Sequence, residues 1–440
     1  MISIVQQPPE ITPVYNDVVM TVVSDKVISK FKFKYVFDIF ANTLGTGYAY
    51  IGRIKSTPNP AGYGMVDLSR YLQNNLGPEI TWGTPIQTIN TTITYPAVNS
   101  AGNYYVVCGE EYAETESGPV TLYNGDDTVS LSTTLTAKLT DIGFMFNGVN
   151  QFEEGLYWNA TPYFQPTGRT FLTNSPRTLY KETDEYILLG CMYGYYSGAT
   201  EQANNNLPLV AKVYDTNNTL LKTYTGTPYV NNNGTAKGMN VVSGYIDTIV
   251  SGYTNTWNKM DVYLGITTGT TSGTTETMTI YRKDCPWKKY NPIDIMFLNR
   301  YGAYDTFRFF GSKDEDVKIE RGTYQSQYGT WNSVRYSYST YERGTTNIKT
   351  DLTLQGEVMS DFIDQDTVNW LEELLTSPHV MIIGEFNTLG TTRKLIPINI
   401  TDSNFKRQVR GNKKLRQVSF KYEYSNQIRT QQLGGFLGIW

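Results

Sequence analysis

Short runs that alternate apolar and polar residues recur along this chain, and they limit what it can fold into. The clearest is Phe31–Phe40, where aromatic and polar side chains alternate at a period of two. Because successive side chains of a β-strand point to opposite faces, the run predicts a strand with one buried and one wet face. Val18–Val23 and Tyr48–Ile54 predict neighbouring strands. The chain is therefore expected to be mainly β.

The composition favours the same fold class. The 440 residues include 35 Tyr and 38 Gly but one His. Tyr and Thr favour strands, and Gly and Asn favour the turns between them. Tyr also presents a rigid surface with a polar tip, which suits protein–protein contact. This composition is typical of a protein that is built from strands and buries much surface against neighbours, although a carbohydrate-binding protein can share it.

Length and patterning predict a multi-domain chain with β-sandwich or jelly-roll-like domains. Residues 1–180 are expected to form a β-rich domain with a short helix at Val66–Leu76 and a loop-rich extension. Residues 181–285 carry regularly spaced short strands, which favour a β-sandwich. Residues 286–440 are expected to form a C-terminal α+β domain that carries one short helix and ends in an apolar arm.

The C-terminal helix has recognisable ends. Asp364 or Asp366 can cap its N-terminus, and Pro378 terminates it. Its buried face is expected to carry Val368, Leu371, Leu374 and Leu375.

The residues that usually carry chemistry are scarce. His379 is the only histidine, and a structural role is the better interpretation of it. Cys108, Cys191 and Cys285 are far apart and lack CxxC spacing, so we interpret them as buried or idle thiols. Phosphate-binding and dinucleotide-binding glycine motifs are not found in the sequence. The sequence therefore predicts a non-enzymatic protein with no cofactor and no metal.

Acidic pairs are the remaining candidates for chemistry. Glu110-Glu111, Asp126-Asp127 and Glu153-Glu154 are adjacent in sequence, so on a strand the two carboxylates of a pair point to opposite faces. Asp314-Glu315-Asp316 is expected to form a hairpin turn; a Ca²⁺ site there is conceivable, but the spacing differs from an EF-hand. Arg300 is expected to pair with a buried carboxylate, either Asp305 or Asp294.

Targeting and partner signals are weak within the chain. A Sec-type signal is not visible, and every apolar run is shorter than a membrane-spanning helix. The basic stretch Lys406–Arg416 is best interpreted as a solvated face, so we expect neither nucleic acid nor membrane as a partner. Met1–Pro13 and Gln431–Trp440 are expected to be assembly arms. Their candidate interaction residues are Ile2, Ile4, Val5, Phe436, Leu437, Ile439 and Trp440.

Three stretches of the chain resemble virion structural proteins of tailed bacteriophages that infect Bacteroidetes, crAss-like phages included. Asn291–Asp305, with the sequence NPIDIMFLNRYGAYD, resembles a pattern in those proteins. Pro9–Asn16 followed by Phe33–Val36 is similar to their start. Trp370–Pro378, with Pro397–Ile400 and Phe420–Tyr424, resembles the closing part of tail or baseplate β-domains. The middle of the chain is unmatched.

The resemblance implies a homo-oligomeric ring component of the tail, neck or collar, assembled in the host bacterial cytoplasm and incorporated into the virion. Its partners would be copies of itself and other tail or neck proteins. A carbohydrate-binding or adhesin module stays open as an alternative, with Tyr157-Trp158, Tyr163 and Phe164 as an aromatic cluster. A polysaccharide-degrading tail enzyme that uses Glu153 and Glu154 is the third interpretation.

Overall fold

Strands dominate the chain, as the alternating runs predict. The computed structural model describes residues 1–43, 47–78, 93–97, 99–130, 135, 140, 142–149, 161–165, 168–193, 195–197, 200–202, 208–227, 238–265, 275–283, 292–311, 313–325, 327–330, 334–342, 344–386, 393–402 and 416–425. Several separate sheets and a few short helices form within these residues. The predicted fold class, mainly β with several sandwich-like units, is therefore confirmed.

The N-terminal region is a two-sheet sandwich. Its elements are β1 (Ile2–Gln6), β2 (Ile11–Pro13), β3 (Val19–Ser24), β4 (Phe31–Thr43), β5 (Ala49–Ser56), β6 (Tyr63–Asp67), α1 (Ser69–Gln73), β7 (Ile93–Pro96), β8 (Ala101–Ala113), β9 (Thr121–Asn124), β10 (Gly143–Phe146) and α2 (Thr161–Phe164). Sheet β1-β3-β6 packs on sheet β2-β10-β8-β4-β5, with β9 beside β8. Tyr35, Phe37 and Tyr104 lie in the core between them.

Two expectations for this region need correction. The predicted wet face of Phe31–Phe40 is not wet at its centre, because Val36 packs against Leu135 and the Asp38 side chain is ion-paired with Arg53. The predicted helix Val66–Leu76 is too long. Val66 belongs to β6 and pairs with Met20, so the helix proper is only the five residues of α1.

The middle region is a second sandwich. Its elements are β11 (Thr178–Lys181), β12 (Tyr186–Tyr193), β13 (Tyr195–Ser197), β14 (Thr200–Gln202), β15 (Leu209–Tyr214), β16 (Leu220–Thr225), β17 (Gly238–Tyr245), α3 (Ile246–Ile249), β18 (Lys259–Leu264) and β19 (Met278–Arg282). Sheet β11-β19-β18-β15-β16 encloses a core with sheet β12-β17-β7. Strand β7 thus joins the second sheet pair although it precedes residue 180.

The C-terminal region is one seven-stranded sheet with a helix on it. Its elements are β20 (Ile293–Leu298), β21 (Tyr304–Phe309), β22 (Lys313–Gln325), β23 (Thr345–Met359), α4 (Gln365–Thr376), β24 (Val380–Phe386), β25 (Arg393–Ile400) and β26 (Ser419–Tyr424). The strand order is β21-β20-β24-β25-β26-β23-β22. Helix α4 buries Val368, Leu371 and Leu374 in the core of this region.

The predicted cap of α4 is confirmed. The Thr367 backbone N–H donates to Asp364 Oδ1 at 2.8 Å, which satisfies one of the free N–H groups of the first turn. Pro378 directly follows Ser377, which is the C-cap residue. This cap fixes the first turn of α4, which lines a cleft through Asp364 and Thr367.

Candidate functional site: an exposed hairpin and the α4 cleft

The expected N-terminal arm is a strand of its own domain. Ile2 pairs with Ser24 in β3 and is fully buried, and Ile4 packs against the same core. This corrects the expectation of a free arm at Ile2 and Ile4, because their apolar side chains are already covered within the chain. Val5 remains 56% exposed. The expected C-terminal arm, with Phe436, Leu437, Ile439 and Trp440, lies outside the described residues.

A long β-hairpin projects from the C-terminal sheet. Strands β22 and β23 pair from Lys313↔Val358 to Gln325↔Thr345. Strand β23 contacts β26 only through Gln355–Met359. Beyond that point, β22 and β23 pair only with each other among the described strands. The ten residues Thr345–Leu354, at about 3.3 Å each, give a ribbon roughly 33 Å long.

The end of this hairpin is rich in exposed tyrosines, which we call the aromatic tip: Tyr328, Tyr336, Tyr338 and Tyr341. Their side chains are 42%, 49%, 62% and 82% exposed, respectively. The rings of Tyr328 and Tyr338 meet edge to face at 5.7 Å. The tip thus presents an aromatic surface to solvent.

Backbone contacts hold the tip in shape. Thr330 and Ser337 form an antiparallel bridge, and the Gly329 N–H donates to the Glu342 carboxylate at 2.5 Å. Gly329 has φ +85°, and a Cβ there would lie 2.7 Å from the Tyr336 ring. The turn therefore depends on glycine, and the tyrosines are presented from a fixed backbone.

Two ion pairs lie along the stem of the hairpin. Lys318 pairs with Glu320 and Lys349 pairs with Asp351, each two residues apart on one face of a strand. An isolated two-stranded hairpin is marginally stable in water. The segment Val317–Leu354 has five Lys and Arg against three Asp and Glu, a small positive surplus. Its exposed tyrosines are better suited to a protein neighbour.

The sequence interpretation of this segment was wrong. Asp314-Glu315-Asp316 is not a hairpin turn but part of β22, opposite Gln355, Gly356 and Glu357. The error arises because both faces of this ribbon are solvated, so the segment lacks the alternation that marks a half-buried strand. The usable signal was the run of tyrosines between Tyr324 and Tyr341. No group of His, Cys, Asp and Glu suited to a metal ion occurs among the described residues.

The second feature is a cleft of about 400 Å³ between the middle and C-terminal sheets, which we call the α4 cleft. It lies between β11, β21, the loop at Asp361–Asp364 and the first turns of α4. Its apolar lining comprises Leu179, Tyr180, Phe307, Phe310, Phe362, Ile363 and Trp370. Its charged lining comprises Lys181, Glu185, Lys283, Arg308, Asp361 and Asp364. Phe362 is 61% exposed.

A buried ion-pair network forms the floor of the α4 cleft. Arg308 donates to both oxygens of Asp294, from Nε at 2.5 Å and from Nη2 at 2.7 Å. Its Nη1 donates to Glu182 at 2.8 Å and to Asp184 at 2.6 Å. Glu185 pairs with Lys181 at 3.1 Å, and burial raises the pKa of Glu185 while Lys181 and Arg308 oppose the rise. Arg308 therefore joins the middle region to the C-terminal sheet.

Arg300 pairs with neither of the expected carboxylates. Its Nε lies 3.1 Å from Glu373 Oε1, on α4, and its backbone N–H donates to Glu373 Oε2. The strand that precedes Arg300, β20, is apolar and has a neighbour on each side, but the partner of Arg300 on the helix is distant in sequence. Arg300 does pair with a buried carboxylate, as expected, but the carboxylate is that of Glu373 and not of Asp305 or Asp294.

Asp305 is buried next to the α4 cleft, and no cation pairs with it among the described residues. Its Oδ2 accepts from Thr173 Oγ1 at 2.7 Å and from Trp370 Nε1 at 2.9 Å. Burial raises the pKa of Asp305 to about 7, against these hydrogen bonds, which lower it. The Asp305 carboxyl thus links α4 to the segment around Thr173. Its contribution to the folding stability depends on pH, because the charged form is buried.

Replacing Asp305 with Asn is expected to flatten the pH dependence of stability. The folded pKa lies above the unfolded value of about 3.9, so wild-type stability is full below that pH and declines as pH rises through about 7. At about 1.4 kcal/mol per pKa unit, the decline is of the order of 4 kcal/mol at most. Urea unfolding at pH 5 and pH 8 covers the upper part of this decline, about 3 kcal/mol at most. Asp361→Asn, at an exposed carboxyl, serves as control; an unchanged pH slope in Asp305→Asn would contradict the assignment.

The other sequence candidates are structural where the structure describes them. His379 Nδ1 lies 3.4 Å from the Tyr304 hydroxyl, and Cys108 and Cys191 are buried thiols. Phe164 is 6% exposed and packs edge to face on Phe144. Cys285, Glu153-Glu154, Tyr157-Trp158 and most of Lys406–Arg416 lie outside the described residues. In the part of the chain that is described, no helix is long and apolar enough to cross a membrane.

Comparison with known proteins yields little. No family model and no curated protein matches the chain. Among solved structures, it is similar to the crystal structure of trypsin-activated alpha-2-macroglobulin from Escherichia coli, at 8% identity and a TM-score of 0.19. The match covers 95% of this chain and 23% of that one, so the chain spans under a quarter of it. A likeness this weak carries no argument about fold or function.

Proposed function

We propose that this chain is a non-enzymatic structural protein of a tailed-bacteriophage virion, a homo-oligomeric ring component of the tail, neck or collar. The observation that carries the proposal is the projecting hairpin with its aromatic tip. Large exposed tyrosines at the end of a projecting ribbon suit a contact between subunits. The resemblance of three stretches of the sequence to virion proteins supports the assignment to a phage particle.

The free energy of one hairpin contact is small, so the contact is expected to be stable only when several copies close into a ring. Burying about 100 Å² on each of four tyrosines yields roughly 10 kcal/mol at about 25 cal/mol per Å². Association costs an estimated 4–15 kcal/mol, so a single hairpin contact is weak. In a closed ring each subunit makes two contacts, and the last one forms within an already assembled chain. Oligomerisation is therefore cooperative and depends on concentration.

Other contacts belong to the same proposal. Val5 stays exposed at the N-terminal edge, and the C-terminal residues Phe436, Leu437, Ile439 and Trp440 are apolar. These residues remain proposed sites of contact with neighbouring copies or with other tail and neck proteins. Assembly would take place in the host bacterial cytoplasm.

Negative-stain microscopy and sedimentation velocity of the purified chain are expected to show closed rings above a threshold concentration. The reason is that each copy carries a donor surface that only another molecule covers. Measuring from low micromolar to several hundred micromolar covers the range expected for weak heterologous contacts. A discrete monomer throughout that range would contradict the ring proposal.

A carbohydrate-binding or adhesin module is the second candidate, since exposed tyrosines also stack on sugar rings. The aromatic tip is the observation that favours it, whereas Phe164 of the sequence-predicted cluster is buried. A glycan array separates the two functions: affinity that disappears in a Tyr338→Ser/Tyr341→Ser variant would support the module. A polysaccharide-degrading tail enzyme is third, and its candidate carboxylates Glu153 and Glu154 lie outside the described residues.

A further inference from the structure

We infer that the α4 cleft of one copy receives the aromatic tip of a second copy. The inference rests on the proposed function, because it names where the hairpin binds. It assigns the donor surface to the tip tyrosines and the acceptor surface to the cleft between β11, β21 and the first turns of α4.

The aromatic tip and the α4 cleft lie at opposite ends of the hairpin. The base of the hairpin adjoins the cleft, because the Gly311 N–H donates to the Met359 backbone oxygen at 2.9 Å and Phe310 and Asp361 line the cleft. The tip lies at the far end of the ribbon, roughly 33 Å from the point where the ribbon leaves the sheet. We therefore expect that a chain does not fill its own cleft. A contact between two different surfaces is heterologous, and it propagates into a ring when the rotation closes.

The chemistry of the α4 cleft matches a phenol side chain. Phe307, Phe310 and Phe362 provide aromatic walls against which another ring packs at an edge or an offset. Asp361 lies 3.2 Å from Lys283 at a side-chain exposure of 45%, so its carboxylate is open to a hydroxyl that donates. Tyrosine combines both features, an apolar ring and a donor at its end.

The charge and size of the cleft argue against other occupants. Its charged lining balances three cations against three carboxylates, which favours a neutral group over a phosphate or a metal ion. About 400 Å³ is at the small end of ligand pockets and holds one or two side chains rather than a strand. The Lys283 ammonium lies 4.0 Å from the centre of the Phe310 ring and is positioned for a second aromatic face.

The cleft is preformed, which lowers the cost of binding. Arg308 is fixed by two bonds to Asp294 and one to Glu182, and Trp370 is fixed by its bond to Asp305. Side chains that are already immobilised lose little entropy when a partner arrives. The exposed Phe362 at the opening is the side chain with the most surface to bury.

A mixing experiment tests this assignment. The tip variant is Tyr338→Ser/Tyr341→Ser, which keeps the cleft. The cleft variant is Phe362→Asp, which keeps the tip and changes only a side chain that is already 61% exposed. Thr367→Trp, which fills the cleft from α4, is the second cleft variant in case the first misfolds. Tyr15→Ser and Ile28→Asp, at residues 53% and 98% exposed, are matched controls.

Each of the tip and cleft variants alone is expected to self-associate about 100-fold more weakly than wild type, and the controls as wild type does. An equimolar mixture of tip and cleft variants should form a 1:1 dimer and no larger species, because one functional tip meets one functional cleft. A photo-crosslinking residue at Tyr341 should label the segment around Phe362 of the other copy.

The outcomes separate the inference from the proposed function. If both cleft variants form rings while the tip variant does not, the cleft assignment is overturned and the ring proposal stands. If wild type itself stays monomeric, both fail. Circular dichroism and thermal unfolding of every variant show that the fold is retained.

Discussion

Replacing Arg308 with Met is expected to lower the free energy of unfolding by about 3 to 5 kcal/mol, a large loss for a single substitution. Arg308 is 4% exposed and binds Asp294 through two nitrogens and Glu182 through a third. Without the guanidinium, the buried carboxylates of Asp294 and Glu182 lose these charged donors. Both the middle and the C-terminal regions lose stability, because the network joins them.

Urea unfolding measures this loss, and two variants show its origin. Arg308→Lys keeps the charge but lacks the planar fork that binds Asp294 through two nitrogens, so an intermediate loss is expected. Adding Asp294→Asn to Arg308→Met should recover part of the lost free energy of unfolding, because it removes the buried charge of Asp294. Lys318→Met, which breaks the exposed pair with Glu320, should leave the urea midpoint close to that of wild type. A loss from Arg308→Met as small as that would refute the buried-network argument.

The Arg308 network also shows what a sequence conceals. Local patterns limited the helix cap to Asp364 or Asp366, and Asp364 is the residue that caps α4. Ion partners depend on which strands become neighbours. Glu182 and Asp184 lie in a turn more than a hundred residues before Arg308, and no local pattern connects them. The expected pairs of Arg300 failed for the same reason.

The sequence did not predict the candidate assembly surface for a different reason. Sequence methods recognise strands by a buried face, and the projecting part of the hairpin has none. The terminal stretches looked like arms because they are apolar, yet Ile2 is apolar because it completes the chain's own core. The composition did indicate interface-forming tyrosines. Only the register of β22 and β23 shows that several of them gather at the end of one ribbon.

Deleting the projecting part of the hairpin is expected to abolish self-assembly and leave the fold intact. Replacing Val317–Leu354 with Asn-Gly joins Asp316 to Gln355, which are directly opposed in the native register. A two-residue Asn-Gly connection suits such a pair in a twisted hairpin. The deletion keeps Gln355–Met359 and hence the contact of β23 with β26.

The core gives no reason for the shortened chain to unfold. Among the described residues, none between 317 and 354 is buried, and all the buried clusters of the C-terminal sheet lie elsewhere. The thermal midpoint should therefore stay within a few degrees of wild type, since no described side chain in the removed segment belongs to the buried core.

Sedimentation velocity should show only monomer at concentrations where wild type forms rings, and the Tyr338→Ser/Tyr341→Ser variant should behave in the same way. Comparing the deletion with the tyrosine variant shows whether the stem or the tip of the hairpin makes the contact between subunits. If the deletion abolishes assembly but the tyrosine variant does not, the stem makes the contact by strand addition and not through the tip. If the shortened chain still assembles as wild type does, the hairpin is not the subunit contact, and the exposed surface around Val5 becomes the first alternative to test.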